Sequence, residues 1–247
     1  MNNSYSIKFE KRKSELYLAI SCLIKKNKEI MDIQDNLWKE LRNIDDVDFV
    51  EDINTLNQKN NKKIVYKYPI DRIHFSLFVI LTLNIDSLNF EEECELFKKE
   101  KTFKEIGNII AKVIDEEILA NHKFLKSGKV KRIYFPSKQK IENSIALNIF
   151  TENLEFLENL ELNIKNRLKK YYPEEGIKLK IRDKEYFVIN LIRFINNDDS
   201  NDIKESSIYE KIEKINKELE EKPIKADFDI EFVISDPYLS NKNPFLE

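Results

Sequence analysis

Short apolar runs alternate with helical stripes along this chain, and that alternation predicts most of its elements. The run from Ser14 to Ile24 (SELYLAISCLI) is apolar and rich in β-branched and aromatic residues, which predicts a strand. Ile30, Ile33, Leu37, Trp38 and Leu41 then recur at helical spacing and predict an amphipathic helix, with Trp38 as its core anchor. The Asn- and Asp-rich stretch from Asp45 to Lys63 is expected to be loop. KIVYKYPI and RIHFSLFVIL predict two further strands, with Pro69 ending the first. From Phe90 to Leu119 the pattern is helical, with a break near Gly107. Between Ala120 and Phe150 two or three strands are expected, with SG and PSKQ as turns.

The later residues repeat the theme. Leu154, Leu157, Leu160, Ile164 and Leu168 form one helical stripe, and Lys and Arg fill its last turns, where they suit the helix dipole. GIKLKIRD and EYFVINLIRFI predict strands, and DDSNDIKESS a linker. SIYEKIEKINKELEEK predicts a charged amphipathic helix, and ADFDIEFVISDPYL a closing strand. Strand, helix, strand, strand, helix, strand occurs once through about Val130, and a similar order follows. The expected fold is therefore α+β, a single bilobal domain of two duplicated lobes, about 14–130 and 131–247. Their central antiparallel sheets are expected to face each other across a cleft, with helices on the outside.

Composition narrows the function. A chain of 247 residues can bury a sizeable core, and a formal net charge of −3 draws it neither to nucleic acid nor to membranes as a whole. Any anion site must be a local patch. Cys22 and Cys94 are the only cysteines, and with two histidines they make no metal-like spacing, so no metal or cofactor is expected. No apolar run approaches a membrane span and no leader precedes the first strand, so a cytoplasmic protein without a membrane partner is expected.

Candidate chemistry begins at DRIHFSLFVIL. Residues i and i+2 of a strand share a face, so His74 and Ser76 project together. An imidazole moves protons near neutral pH, and a hydroxyl beside it donates to a phosphate oxygen. The competing reading is a structural histidine at a strand start. His122 is the other histidine and is expected to face solvent. Lys123, Lys126, Lys129, Lys131, Arg132, Lys138 and Lys140 cluster with Tyr134 and Phe135 interleaved, as in segments that contact phosphates and stack bases. The same segment also fits a solvated hairpin.

RIHFSLFVI, with LYLAISC…MDIQDNLWKEL before it and the element order after it, resembles the 2H phosphoesterase superfamily. This group includes the LigT-like RNA 2′,5′ phosphoesterases and the U6 RNA-trimming phosphodiesterases. The resemblance runs from about Ser14 to Phe245. It implies a two-lobed fold with one His-x-Ser/Thr motif on a central strand of each lobe. Metal-independent cleavage of an RNA end, a 2′,3′-cyclic phosphate or a small oligonucleotide would follow. His74 would then be the acid or base, and Ser76 the phosphate holder. The second motif should lie in YFVINLIRF, where Val188 occupies the histidine position and Asn190 the Ser/Thr position. An alternative register puts Ser144 and Ala146 there. Counting by twos from Val188 and Asn190 places Ile192, rather than Arg193, on the cleft face. SDPYLSNKNP resembles the closing turn near the family's site, which makes Tyr238 a base-stacking candidate. Two alternatives stay open: an inactive nucleotide- or RNA-binding module, and a protein-interaction scaffold on the same fold.

Overall fold

A computed structural model of the chain describes residues 6–11, 15–52, 55, 63–84, 105, 108, 109, 112, 116, 127–134, 140–150, 154–171, 186–196, 203–204 and 207–235. The architecture is mixed α/β. In chain order the elements are β1 (Ser6–Lys8), β2 (Glu10–Lys11), β3 (Glu15–Ile24), α1 (Lys28–Leu41), β4 (Asp48–Val50), β5 (Lys63–Lys67) and β6 (His74–Asn84). There follow β7 (Ser127–Tyr134), β8 (Lys140–Glu142), β9 (Ser144–Phe150), α2 (Leu154–Tyr171), β10 (Tyr186–Asn196), β11 (Ile203–Lys204), α3 (Ser207–Glu221) and β12 (Ile224–Ser235). Glu105, Asn108, Ile109, Lys112 and Glu116 are helical too, within the stretch expected to be helix.

The apolar runs become strands because each buries one side. Instead of two separate sheets, the described strands of both halves form one nine-stranded sheet, ordered β4-β5-β10-β9-β7-β12-β3-β6, with β2 also pairing β10. A small sheet, β11-β1-β8, stands apart. The six strands from β6 to β10 pair antiparallel throughout. Their order is symmetrical about the β12–β7 junction, with β3 and β6 on one side and β9 and β10 on the other. The sheet curls, bringing its β6 edge back beside β10. There the Phe75 ring lies 4.9 Å from that of Phe187. Just past β5, the amide of Tyr68 donates to the Leu191 carbonyl at 3.1 Å and carries the β5–β10 pairing one residue further.

One face of the sheet carries the main core. Ile30, Leu37, Trp38 and Leu41 of α1 and Ile208, Ile212 and Leu219 of α3 pack in one cluster with Cys22, Phe75, Val130, Ile149, Phe187 and Phe228. Removing apolar surface from water at roughly 25 cal/mol per Å² makes this cluster the main stabilising term. Trp38, 4% exposed, anchors α1 as expected and donates its indole N–H to Glu51. Asn27 caps the helix, its side-chain oxygen accepting from the amide of Ile30. Glu40 near the other end of α1 pairs with Lys211 of α3 at 3.1 Å.

Three sequence expectations change here. Ser127-Gly128 is not a turn but the start of β7, paired with Asp227 and Ala226 of β12. The stretch read as loop from Asp45 to Lys63 contains β4, parallel to β5. The linker contains β11, whose Ile203 pairs with Ile7. The break at Gly107, the strand in GIKLKIRD and the PSKQ turn lie outside the described residues.

Candidate functional site

The face of the sheet turned away from the main core carries the polar side chains. Phe75 packs in the core, so alternation turns His74 and Ser76 to the opposite side of β6. There Leu23 of β3 pairs with His74, and Ser21 pairs with Ser76. Leu23, Ala19 and Val233 form a small apolar cluster of their own, separate from the main core. His74 is 9% exposed, and Ser76 is half-buried.

The histidine is held in one orientation. Its Nδ1 lies 2.9 Å from the carbonyl oxygen of Arg72. A carbonyl only accepts, so Nδ1 carries the proton, and Nε2 is the nitrogen that takes or gives one. The ring also meets Tyr68 edge-on, with centroids 6.3 Å apart. The 3-10 turn from Ile70 to Arg72 supplies the Arg72 carbonyl, and Pro69 opens that turn with a φ of −58°.

Strand register links both halves of the site. Asp229, Leu23 and His74 form one row across β12, β3 and β6. Arg132, Asn148 and Val188 form another across β7, β9 and β10. Asp229 stands two residues beyond Asp227, which pairs with Ser127 at one end of the β12–β7 ladder. Arg132 stands two beyond Val130, which pairs with Ile224 at the other end. The bulge at Lys131 makes the second of these a single pairing, because Val130 pairs with Ile149 and Arg132 with Asn148, so His74 lies two pairings and Val188 one pairing beyond the central ladder. Two residues further along, Glu231, Ser21 and Ser76 form a row on one side of the sheet's middle, and Tyr134, Ala146 and Asn190 a row on the other. Val188 and Asn190 are both half-buried.

Two buried polar atoms lie on these rows. The Oγ of Ser21, fully buried beside Ser76, and the Oδ1 of Asn148, 4% exposed beside Val188, have no hydrogen-bond partner among the described residues. An unsatisfied buried acceptor costs about 1–3 kcal/mol, so neither is a neutral filling for its position.

Arg193 was missed by counting. A β-bulge between Asn190 and Ile192 inserts Leu191, so Ile192 turns into the core and Arg193 pairs with Ser144. Arg193 thereby shares the face of Asn190, contrary to the sequence expectation. Its guanidinium donates to the Tyr68 hydroxyl at 3.3 Å. The bulge is tied down by Gln34 of α1, whose amide nitrogen donates to the carbonyls of both Tyr68 and Leu191 at 2.9 Å. The signal was present in the sequence. Gln34 lies between Ile30 and Trp38 on the apolar stripe, four residues from each, where an amide needs partners.

The basic segment is placed in part. Arg132 and Lys129 are exposed, and Lys131 occupies a second bulge, its ammonium 5.2 Å from the centre of the Phe150 ring. Tyr134 pairs with Ala146, which fixes its place in the strand but not its ring. Tyr238, His122, Lys123, Lys126, Lys138 and Cys94 lie outside the described residues. Cys22 is buried in the core, and burial pushes its thiol pKa well up, so it is packing rather than a nucleophile. Among the described residues no helix is long and apolar enough to cross a membrane.

No family model matches the chain, and no curated protein matches it. Among solved structures it is similar to that of Kluyveromyces marxianus Usb1, at 10% identity over 85% of this chain and 79% of that one, with a TM-score of 0.26. A likeness that slight carries no argument about fold or function.

Proposed function

We propose that the chain is a bilobal, 2H-phosphoesterase-like protein that binds, and with His74 acts on, the phosphodiester of an RNA end, a 2′,3′-cyclic phosphate or a small oligonucleotide. The observation that supports it is the His74–Ser76 pair on the polar face, with the imidazole locked by the Arg72 carbonyl. The strand order, symmetrical about the β12–β7 junction, supports a duplicated arrangement, lobe 1 about 14–130 and lobe 2 about 131–247. In this reading Nε2 of His74 takes the proton of the attacking hydroxyl, or returns one to the leaving oxygen. Ser76 donates to a non-bridging oxygen and Asn190 to the same phosphate or to a base. Lys131, Arg132, Tyr134 and Tyr238 would contact the rest of the nucleic acid.

A second reading is a binding or sensing module without turnover, and one observation favours it. Valine at position 188 moves no proton, and the loss of one acid–base partner costs about 10²–10⁴-fold in rate. One experiment separates the two. Wild type, His74→Ala and the double variant Val188→His/Asn190→Ser are assayed on 2′,3′-cyclic nucleotides and 2′,5′-linked oligoadenylate. Turnover in wild type that His74→Ala abolishes supports the enzyme. A gain confined to the double variant, dependent on His74, supports the binder built on the same site. Binding and turnover absent from all three folded proteins would overturn both.

A further inference from the structure

Resting on that reading, we propose that Arg193 holds the phosphate of the ligand from the β10 side of the site, and that Tyr68 is its positioning residue. Three observations converge. First, the Leu191 bulge is what brings Arg193 to the polar face. Without the inserted residue the side chain would turn toward the core, where a guanidinium meets a large desolvation cost. Second, Tyr68 touches both partners. Its ring abuts His74 edge-on and its hydroxyl accepts from Arg193. Tyr68 is 1% exposed, so it acts on a ligand only through the side chains it orients. Third, the arrangement is fastened from behind. Gln34 clasps the carbonyls of Tyr68 and Leu191 together, and the Tyr68 amide closes onto Leu191.

The chemistry of a guanidinium defines what it would hold. A planar fork of N–H donors matches paired non-bridging oxygens of a phosphodiester and keeps its charge at every accessible pH. His74 and Ser76 on β6 then meet one side of the phosphorus, and Arg193 and Asn190 on β10 the other. The β10 strand, without a proton-transfer group at Val188, keeps a binding role. Arg193 neutralises charge, and the acid–base work stays with His74.

The test uses the full chain and uridine 2′,3′-cyclic phosphate as probe, with affinity read by calorimetry or by ³¹P shift. Arg193→Gln should weaken binding by about 10- to 100-fold, the range of a charge-assisted hydrogen bond, and reduce the dependence of affinity on salt. Arg193→Lys, which keeps the charge and loses the fork, should restore only part. Tyr68→Phe keeps the ring against His74 and removes the acceptor, and should weaken binding several-fold. That loss should vanish in the Arg193→Gln background, a coupling that a merely structural tyrosine would not show. Unchanged affinity in folded Arg193→Gln, with the wild type binding the probe and His74→Ala lacking turnover, overturns this inference and leaves the proposed function standing. Additive effects of the two substitutions overturn the positioning role of Tyr68. No binding of any cyclic nucleotide by wild type sinks the proposed function, and this inference with it.

Discussion

Gln34 fixes the junction between the end of β5 and the bulge of β10, and its replacement has a calculable cost. In Gln34→Leu both hydrogen bonds from the amide nitrogen disappear. Leu191 still accepts from the Tyr68 amide, whereas the Tyr68 carbonyl loses the Gln34 donor. The replacement also removes Oε1, which has no hydrogen-bond partner among the described residues. What remains is the loss of two bonds at about 0.5–1.5 kcal/mol each, or about 1–3 kcal/mol together. For a chain of this size that lowers Tm by about 2–12 °C. Gln34→Glu sharpens the test. An ionised carboxylate would present only acceptors to two carbonyl oxygens, and burial raises the pKa of the introduced group above its unfolded value of about 4.3. A raised folded pKa gives stability that is present below the unfolded pKa and lost as pH rises through the folded one. Urea unfolding should therefore show Gln34→Glu nearest to wild type at about pH 4 and falling further behind toward pH 7. The Gln34→Leu deficit should stay flat. A Gln34→Glu deficit that is equally flat, and no larger than that of Gln34→Leu, would refute the orientation of the amide on which the junction depends.

Other outcomes follow from single features. Cys22 should resist alkylation in the folded protein and react on unfolding, as mapped by mass spectrometry, because burial holds the thiol protonated. Modification at native pH without unfolding would contradict its place in the core. Glu40 has its pKa lowered by hydrogen bonds from Ser207 and then Lys211, so its contribution is present above the unfolded carboxylate range and lost as pH falls through the folded pKa. Glu40→Gln should make unfolding less sensitive to acid below about pH 4.5, and an unchanged acid limb would argue against the α1–α3 pairing. Neutralising Lys131 and Arg132 together should flatten the salt dependence of oligonucleotide binding, since released counterions drive such contacts. An unchanged slope would return the segment to a solvated hairpin.

The sequence shows where strands and helices lie more readily than how they join. Each long strand is an apolar run, and α1 keeps its stripe because burial selects one face. Which strand lies beside which is set by long-range pairing that no local window contains, so β12 reaching between β3 and β7 was not legible. Bulges are the other blind spot. A count by twos carries Arg193 into the core, and the one inserted residue at Leu191 reverses it. Very short strands such as β4 and β11 are too brief to show a period at all. His74 and Ser76 were legible because their spacing needs no partner to define it. The Arg72 carbonyl that fixes the histidine tautomer comes from a turn, and backbone carbonyls leave no trace in residue identity.

The central place of β12 has a consequence for how the chain acquires its shape. It is the last described strand to leave the ribosome, yet it pairs with β3, made more than 200 residues earlier, and with β7. Until it arrives, both neighbours present open edges, which are templates for pairing with other chains. Folding dominated by such distant contacts is slow, and it exposes unpaired strands while it proceeds. The nascent protein therefore carries this aggregation hazard until β12 is made, with the rest of the sheet waiting for its middle.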